Sequence, residues 1–182
     1  MGILLAFIPF AVFALLCHFV GPAWSLAAGT LLSASLLLRD VLHPGRWPKF
    51  LEVGSLVLFS GLTAFMAVTG MEISVVGVRV CVDTGLLLTI LLSMAVGHPF
   101  TLQYAKDKVR PELWHSPRFL RTNYILTGAW AIAFAAMVSI ELAMLFVPSL
   151  PHRLGVVAIV LALLGAFRFT RWYPSRLHLP RH

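Results

Sequence analysis

Charged residues are scarce in this chain, and acidic residues are scarcest of all. Only 12% of its 182 residues are charged, 7 of them acidic, whereas 59% are hydrophobic. A soluble domain normally has about a quarter of its residues charged. The longest polar stretch is also far shorter than the roughly 50 residues of a small soluble domain. These shortages exclude a soluble fold and indicate a protein embedded in a membrane.

Uncharged windows recur along the chain at about the twenty-residue length that crosses a bilayer. They predict an all-α, polytopic transmembrane bundle in one membrane domain, with about six spans arranged as helical hairpins. The predicted spans cover residues 3–20, 23–38, 51–70, 76–97, 122–147 and 154–167. A cytoplasmic loop covers 98–121, and a basic cytoplasmic tail, whose prolines argue against a long helix, covers 168–182. Five spans, with the first two runs forming one bent span, is the alternative.

Cysteine is nearly absent, and motifs that carry chemistry are missing. The two cysteines, Cys17 and Cys81, form no Cys-x-x-Cys pair. Histidine-box, phosphate-loop, dinucleotide-binding and nucleophile-elbow patterns are lacking as well. The sequence therefore predicts no catalytic residues, no metal ligands and no cofactor. Whether the two cysteines pair or remain separate thiols stays open.

Positive charge is abundant and unevenly placed. Twelve of the fourteen Lys and Arg residues lie within 39–49, 106–121 and 168–182, and two predicted spans separate each region from the next. The three regions must therefore share one side of the membrane, and the positive-inside rule makes that side cytoplasmic. This predicts a multi-pass protein of the bacterial inner membrane with both termini in the cytoplasm. Topology explains the net charge of +7, so nucleic acid is not a predicted partner.

A polar site inside the membrane is predicted from Asp83, Glu141, Arg79 and Glu72. Arg79 precedes Asp83 by one helical turn, which favours an ion pair, and a buried acid that couples protons or cations is the alternative. On the fifth span, polar and bulky residues recur at spacings of four and three, which predicts one face turned into the bundle. These residues are Asn123, Thr127, Trp130, Phe134, Met137 and Glu141.

The central loop carries a second candidate surface. Residues 101–109 can form a short amphipathic helix on the inner leaflet. The surface is either a docking site for a partner or an interfacial connector. It consists of Phe100, Tyr104, Lys106, Lys108, Arg110 and Trp114.

Two regularities concern packing. Residues 48–72 align without a gap with residues 117–141, matching Pro48 to Pro117 and Glu72 to Glu141, which indicates a duplicated span. The small residues Gly29 and Ser33, four positions apart, predict close packing of the second span against a neighbour.

Several strings together resemble the bacterial intracellular septation protein A family of small inner-membrane proteins. They are FIPFAVFALL, FSGLT, HPF, ELWHSPRFLRTNYILTGAWAIAF and FVPSLPHRLGVVAI. The resemblance implies a non-enzymatic role in cell-envelope maintenance or septation, through contacts with envelope or division membrane proteins. It carries over no catalytic residues. The residues leave open a small transporter or channel using Asp83 and Glu141, and a membrane redox or lipid-modifying subunit. Besides the lipid bilayer, a second copy of the chain in a homo-oligomer is a further candidate partner.

Overall fold

A computed structural model describes residues 5–42, 48–107, 109–147 and 152–176, and within them all regular structure is helical. The predicted all-α class is therefore confirmed. Seven α-helices follow one another along the described chain: α1 Ile8–Phe19, α2 Pro22–Leu42, α3 Phe50–Thr69, α4 Val75–Ala95, α5 Phe100–Lys106, α6 Pro117–Phe146 and α7 His152–Arg176. A 3-10 turn at Pro111–Leu113 precedes α6.

Five helices, α2, α3, α4, α6 and α7, are long and apolar enough to cross a membrane. The first predicted span instead forms α1, which has 12 residues. At 1.5 Å per residue this helix is about 18 Å long, well short of a hydrocarbon core of about 30 Å. Gly21, with φ of 83°, separates α1 from α2. The described residues thus contain five helices long enough to span a membrane and one short apolar helix, and the first two runs are distinct helices.

Three predicted boundaries differ from the structure. Helix α2 continues from residue 38 to Leu42, so its last turn carries charge. Helix α6 begins at Pro117, where the hydroxyl of Ser116 accepts a hydrogen bond from the Phe119 amide and caps the helix. Helix α7 extends to Arg176 with Pro174 in its last turn, so the first part of the predicted non-helical tail is helical. Pro174 removes one internal hydrogen bond and crowds the carbonyl four residues earlier, and the helix ends two residues after it.

The described residues form two compact units, which meet in sequence between Thr89 and Ile90. In the first unit, α2 packs against α1 and α3. The aromatic ring of Phe59 is fully buried and contacts Phe10 and Phe13 with centroid distances of 5.0 and 5.6 Å. A Cβ atom at Gly29 would lie 2.7 Å from the Phe59 ring. The predicted close packing at Gly29 and Ser33 is confirmed, because both residues are buried and the missing side chain admits Phe59.

In the second unit, α6 and α7 form an antiparallel hairpin. The indole nitrogen of Trp130, in the middle of α6, donates to Thr170 Oγ1, late in α7, at 2.9 Å. At the other end, Gly155 early in α7 lies against Met144 late in α6. The short helix α5 also packs on α6. These contacts, with those between α2 and α3, confirm an arrangement of helical hairpins.

The two copies of the proposed repeat agree at their beginnings and differ at their ends. Pro48 and Pro117 both stand at or just before the start of a long helix. Glu72, however, is exposed in the non-helical connection after Gly70, whereas Glu141 is buried within α6. The two glutamates therefore have different environments in the structure.

Candidate functional site

The four residues predicted as an intramembrane polar site are divided between the two units. Asp83, Arg79 and Glu72 belong to the first unit and Glu141 to the second. Asp83 and Arg79 are half-buried on α4, and Glu72 is exposed outside any helix. Arg79 and Asp83 lie one turn apart on the same helix, and their pairing stays a prediction.

The predicted inward face of α6 is confirmed. All six of its members are buried: Asn123, Thr127, Trp130, Phe134, Met137 and Glu141. Trp130 stacks on Phe134 with a centroid distance of 6.1 Å, and Glu141 is only 2% exposed. A buried acid in an apolar helix is a functional candidate by default. Glu141 thus keeps its place as a candidate residue within the second unit.

The central surface is smaller than predicted. Phe100 and Tyr104 lie on α5 but are 1% and 4% exposed, so they belong to the core of the second unit. The edge of the Phe100 ring meets Trp130 at 6.4 Å, and Thr101 Oγ1 lies 2.8 Å from Thr127 Oγ1. The apolar face of this amphipathic helix therefore packs on protein. Periodicity identified the face but could not tell a lipid partner from α6.

The rest of that surface is a short segment that begins at Lys106, the last residue of α5. The ammonium group of Lys106 lies 5.3 Å from the centre of the Trp114 ring, a cation–π contact. The Trp114 indole nitrogen donates to the carbonyl of Val109 at 2.9 Å, and Arg110 is exposed. Lys108 lies outside the described residues. Lys106, Arg110 and Trp114 thus form a small basic and aromatic segment, and its role as a docking site or a connector stays a prediction.

A group of charged residues, most of them buried, lies where the C-terminal end of α2 meets the N-terminal end of α3. Sequence reasoning missed it as a site. It comprises Arg39, Asp40, Lys49 and Glu52, which we call the ionic cluster. The Asp40 carboxylate is completely buried. One of its oxygens accepts from Arg39 Nε at 3.1 Å and Nη2 at 2.9 Å. The other oxygen lies 3.5 Å from Lys49 Nζ. Asp40 is therefore the centre of the ionic cluster.

Glu52 adds a second carboxyl group to the ionic cluster. It is 3% exposed, and its carboxyl group lies close to that of Asp40. Two carboxylates at close range repel each other, so the cations Arg39 and Lys49 are needed to hold both acids in place. The ionic cluster can therefore hold two helices together and brings two buried acids to one place.

Local folding explains how these side chains meet. The extra turn of α2 places Asp40 on a helix, where a boundary at residue 38 would leave it in a loop. Lys49 caps α3 with an extended backbone, and its carbonyl accepts from the Glu52 and Val53 amides at 3.0 and 3.1 Å. Glu52 therefore occupies the first turn, where the helix dipole favours an acid. The sequence does contain one signal for the ionic cluster. Arg39 and Asp40 stand before the short connection between the two helices, and Lys49 and Glu52 stand after it.

Other donor groups do not come together in the part of the chain that the structure describes. No group of three or more His, Cys, Asp or Glu side chains there has an arrangement that could hold a metal ion. Cys17 is buried and Cys81 is exposed, and both are free thiols. The open question of their pairing is thus answered by two separate cysteines.

The five long apolar helices define a multi-pass membrane protein whose helices contact the lipid bilayer. No protein-family model, curated protein or solved structure matches this chain. What the protein does must therefore be inferred from its own geometry.

Proposed function

We propose that this chain is a bacterial inner-membrane protein that acts without catalysis, through contacts with envelope or division membrane proteins, in cell-envelope maintenance or septation. The observation that carries the proposal is the use of buried and half-buried polar groups as ties between helices. The ties are Thr30–Thr63, Asp40–Lys49, Thr101–Thr127 and Trp130–Thr170. Such contacts hold membrane helices together. Because these polar groups hold the protein's own helices together, they support a scaffold role in which partners bind the outer surface.

The resemblance to the septation protein A family supports the same role, and the outer surface is apolar enough to receive membrane partners. Large hydrophobic side chains are exposed on several helices, among them Leu31, Val57 and Leu161. Faces of this kind contact lipid, or they contact other membrane helices when a partner is present.

Photocrosslinking in cells tests the proposal. A photoreactive amino acid at Leu31, Val57 or Leu161 should give crosslinks to envelope or division proteins, or to a second copy of the chain. The same group at buried Phe59 is the matched control and should give none. Deletion of the gene should alter cell shape or septum placement under membrane and wall stains. Crosslinks to lipid alone, together with normal septa in the deletion strain, would count against the proposal.

The proposed topology places the three basic regions and both termini in the cytoplasm. Two long helices separate each basic region from the next, which supports a common side for all three. A cytoplasmic N-terminus also requires α1 to cross the membrane, with local thinning of the bilayer or snorkelling of its flanking residues. Reporter fusions at each terminus test this, and a reporter at the N-terminus that is active only in the periplasm would contradict it.

A second candidate is a small transporter or channel coupled to protons or cations. The buried carboxyl contact between Asp40 and Glu52 favours it, and Glu141 offers another buried acid. Flux in proteoliposomes should then fall with Glu52→Gln or Glu141→Gln. The exposed Glu72→Gln variant is the control and should retain flux. Equal flux in all three variants would remove these acids from the transport hypothesis.

A further inference from the structure

The last two turns of α7 present a basic face to the surroundings. Three arginines and a tryptophan are exposed there: Arg168, Arg171, Trp172 and Arg176. At 100° per residue, these positions fall within an arc of about 140° on the helix. We call them the arginine face. Helix α7 contains no acidic residue that could neutralise it.

Packing on the opposite side of α7 sets the direction of the arginine face. Thr170 receives the indole hydrogen bond of Trp130, so its side of the helix is turned toward α6. The Arg176 guanidinium lies 5.2 Å from the centre of the Trp172 ring, and that of Arg171 lies 5.3 Å from the Phe167 ring. These cation–π contacts restrain both arginines while their donor groups remain accessible.

The depth of the arginine face follows from the length of the apolar segment before it. Residues 155–167 form the uncharged part of α7. These residues span about 20 Å, which is less than the hydrocarbon thickness of about 30 Å. Counted from Gly155, the arginine face therefore extends across the edge of the hydrocarbon layer, and its long side chains reach outward toward the phosphate groups.

We propose that the arginine face is a binding site for the phosphate headgroups of anionic phospholipids in the adjoining leaflet. A guanidinium presents paired donors that match phosphate oxygens, which an ammonium group does not. Trp172 is of the type that anchors helices at headgroup level. Clusters of basic residues next to a membrane span are typical of anionic-lipid recognition. The position at the hydrocarbon edge favours a lipid over an acidic protein, whose binding surface would lie in water.

Native mass spectrometry of the full-length protein tests this site. The protein is released from nanodiscs of phosphatidylcholine and phosphatidylglycerol, and the ratio of the two lipids that it retains is measured. Wild type should be enriched in phosphatidylglycerol. The variant R168Q/R171Q/R176Q should lose at least about fivefold of that enrichment, which is the effect expected from even one interfacial arginine. The control R46Q/R118Q/R121Q removes the same number of positive charges from the other basic regions and should keep the enrichment.

The remaining outcomes are decisive as well. An unchanged ratio in R168Q/R171Q/R176Q would overturn the site, and so would an equal loss in the control, since the latter would reflect net charge alone. If the triple variant does not fold, R171Q/R176Q should show a partial loss, and no loss would overturn the site. The lysine variant R168K/R171K/R176K should retain less phosphatidylglycerol than wild type, because it keeps charge but loses paired donors. If R168Q/R171Q/R176Q keeps the lipid ratio of wild type but loses an acidic protein that crosslinks to wild type in cells, the arginine face binds that protein and the lipid site is rejected.

Discussion

Removing Lys49 from the ionic cluster should destabilise the hairpin of α2 and α3 substantially. Lys49→Met keeps much of the apolar stem and deletes the cation that lies 3.5 Å from Asp40. At that separation the attraction is about 5 kcal/mol with an effective dielectric constant of about 20, before desolvation is subtracted. Breaking a buried pair by removing one partner costs about 3–5 kcal/mol. Because Arg39 still contacts Asp40, we expect about 3 kcal/mol for this substitution.

A double-mutant cycle separates the pair from its surroundings. Asp40→Asn and the double variant Asp40→Asn/Lys49→Met complete the cycle, and reversible unfolding in mixed micelles gives the free energies. The double variant should be more stable than the sum of the single effects predicts, by about 1–3 kcal/mol. Additivity within about 0.5 kcal/mol would show that the two residues are not coupled. The ionic cluster would then not be what fixes the hairpin.

Two further predictions concern helix packing. Gly29→Ala should reduce the free energy of unfolding by about 1–3 kcal/mol relative to Gly61→Ala. The reason is that a Cβ atom at Gly29 would lie 2.7 Å from the buried Phe59 ring, while Gly61 has open space. Equal stability of the two variants in mixed micelles would contradict the close packing. Thr170→Val should weaken the α6–α7 hairpin by about 0.6 kcal/mol, and Trp130→Phe should cost more because it also truncates a buried ring. The double variant should lose about 0.6 kcal/mol less than the sum of the two single effects, whereas fully additive losses would show that the 2.9 Å hydrogen bond contributes nothing.

The inward face of α6 could be predicted because two constraints agree on it. A long apolar helix with Asn123 at one end and Glu141 toward the other must turn both away from lipid. The helical period then places the intervening residues on the same side. The structure buries all of them. Sequence is most informative where burial of a polar group and helical periodicity select the same face.

The ionic cluster could not be predicted in the same way, because it depends on where α2 ends. With a boundary at residue 38, Arg39 and Asp40 lie in a loop and their charges are solvated. With the boundary at Leu42, Asp40 is carried into the hairpin and must find a cation. Helix ends are uncertain by one or two residues even between methods that assign them from coordinates. A difference of one turn therefore decided whether a buried site existed.

The two polar contacts between α2 and α3 differ in how strictly they fix the position of one helix against the other. Thr30 and Thr63 lie 3.2 Å apart, but each hydroxyl also bonds a carbonyl one turn earlier in its own helix, at 2.9 and 2.7 Å. Both hydroxyls would therefore remain satisfied if the helices slid apart, and their contact adds only weak attraction. A carboxylate has no donor with which to bond a helix carbonyl. Asp40 is buried without large cost only when Arg39 and Lys49 reach it, which requires one register of α2 against α3. The hydroxyl pair thus strengthens the hairpin, while the ionic cluster selects the register in which it closes.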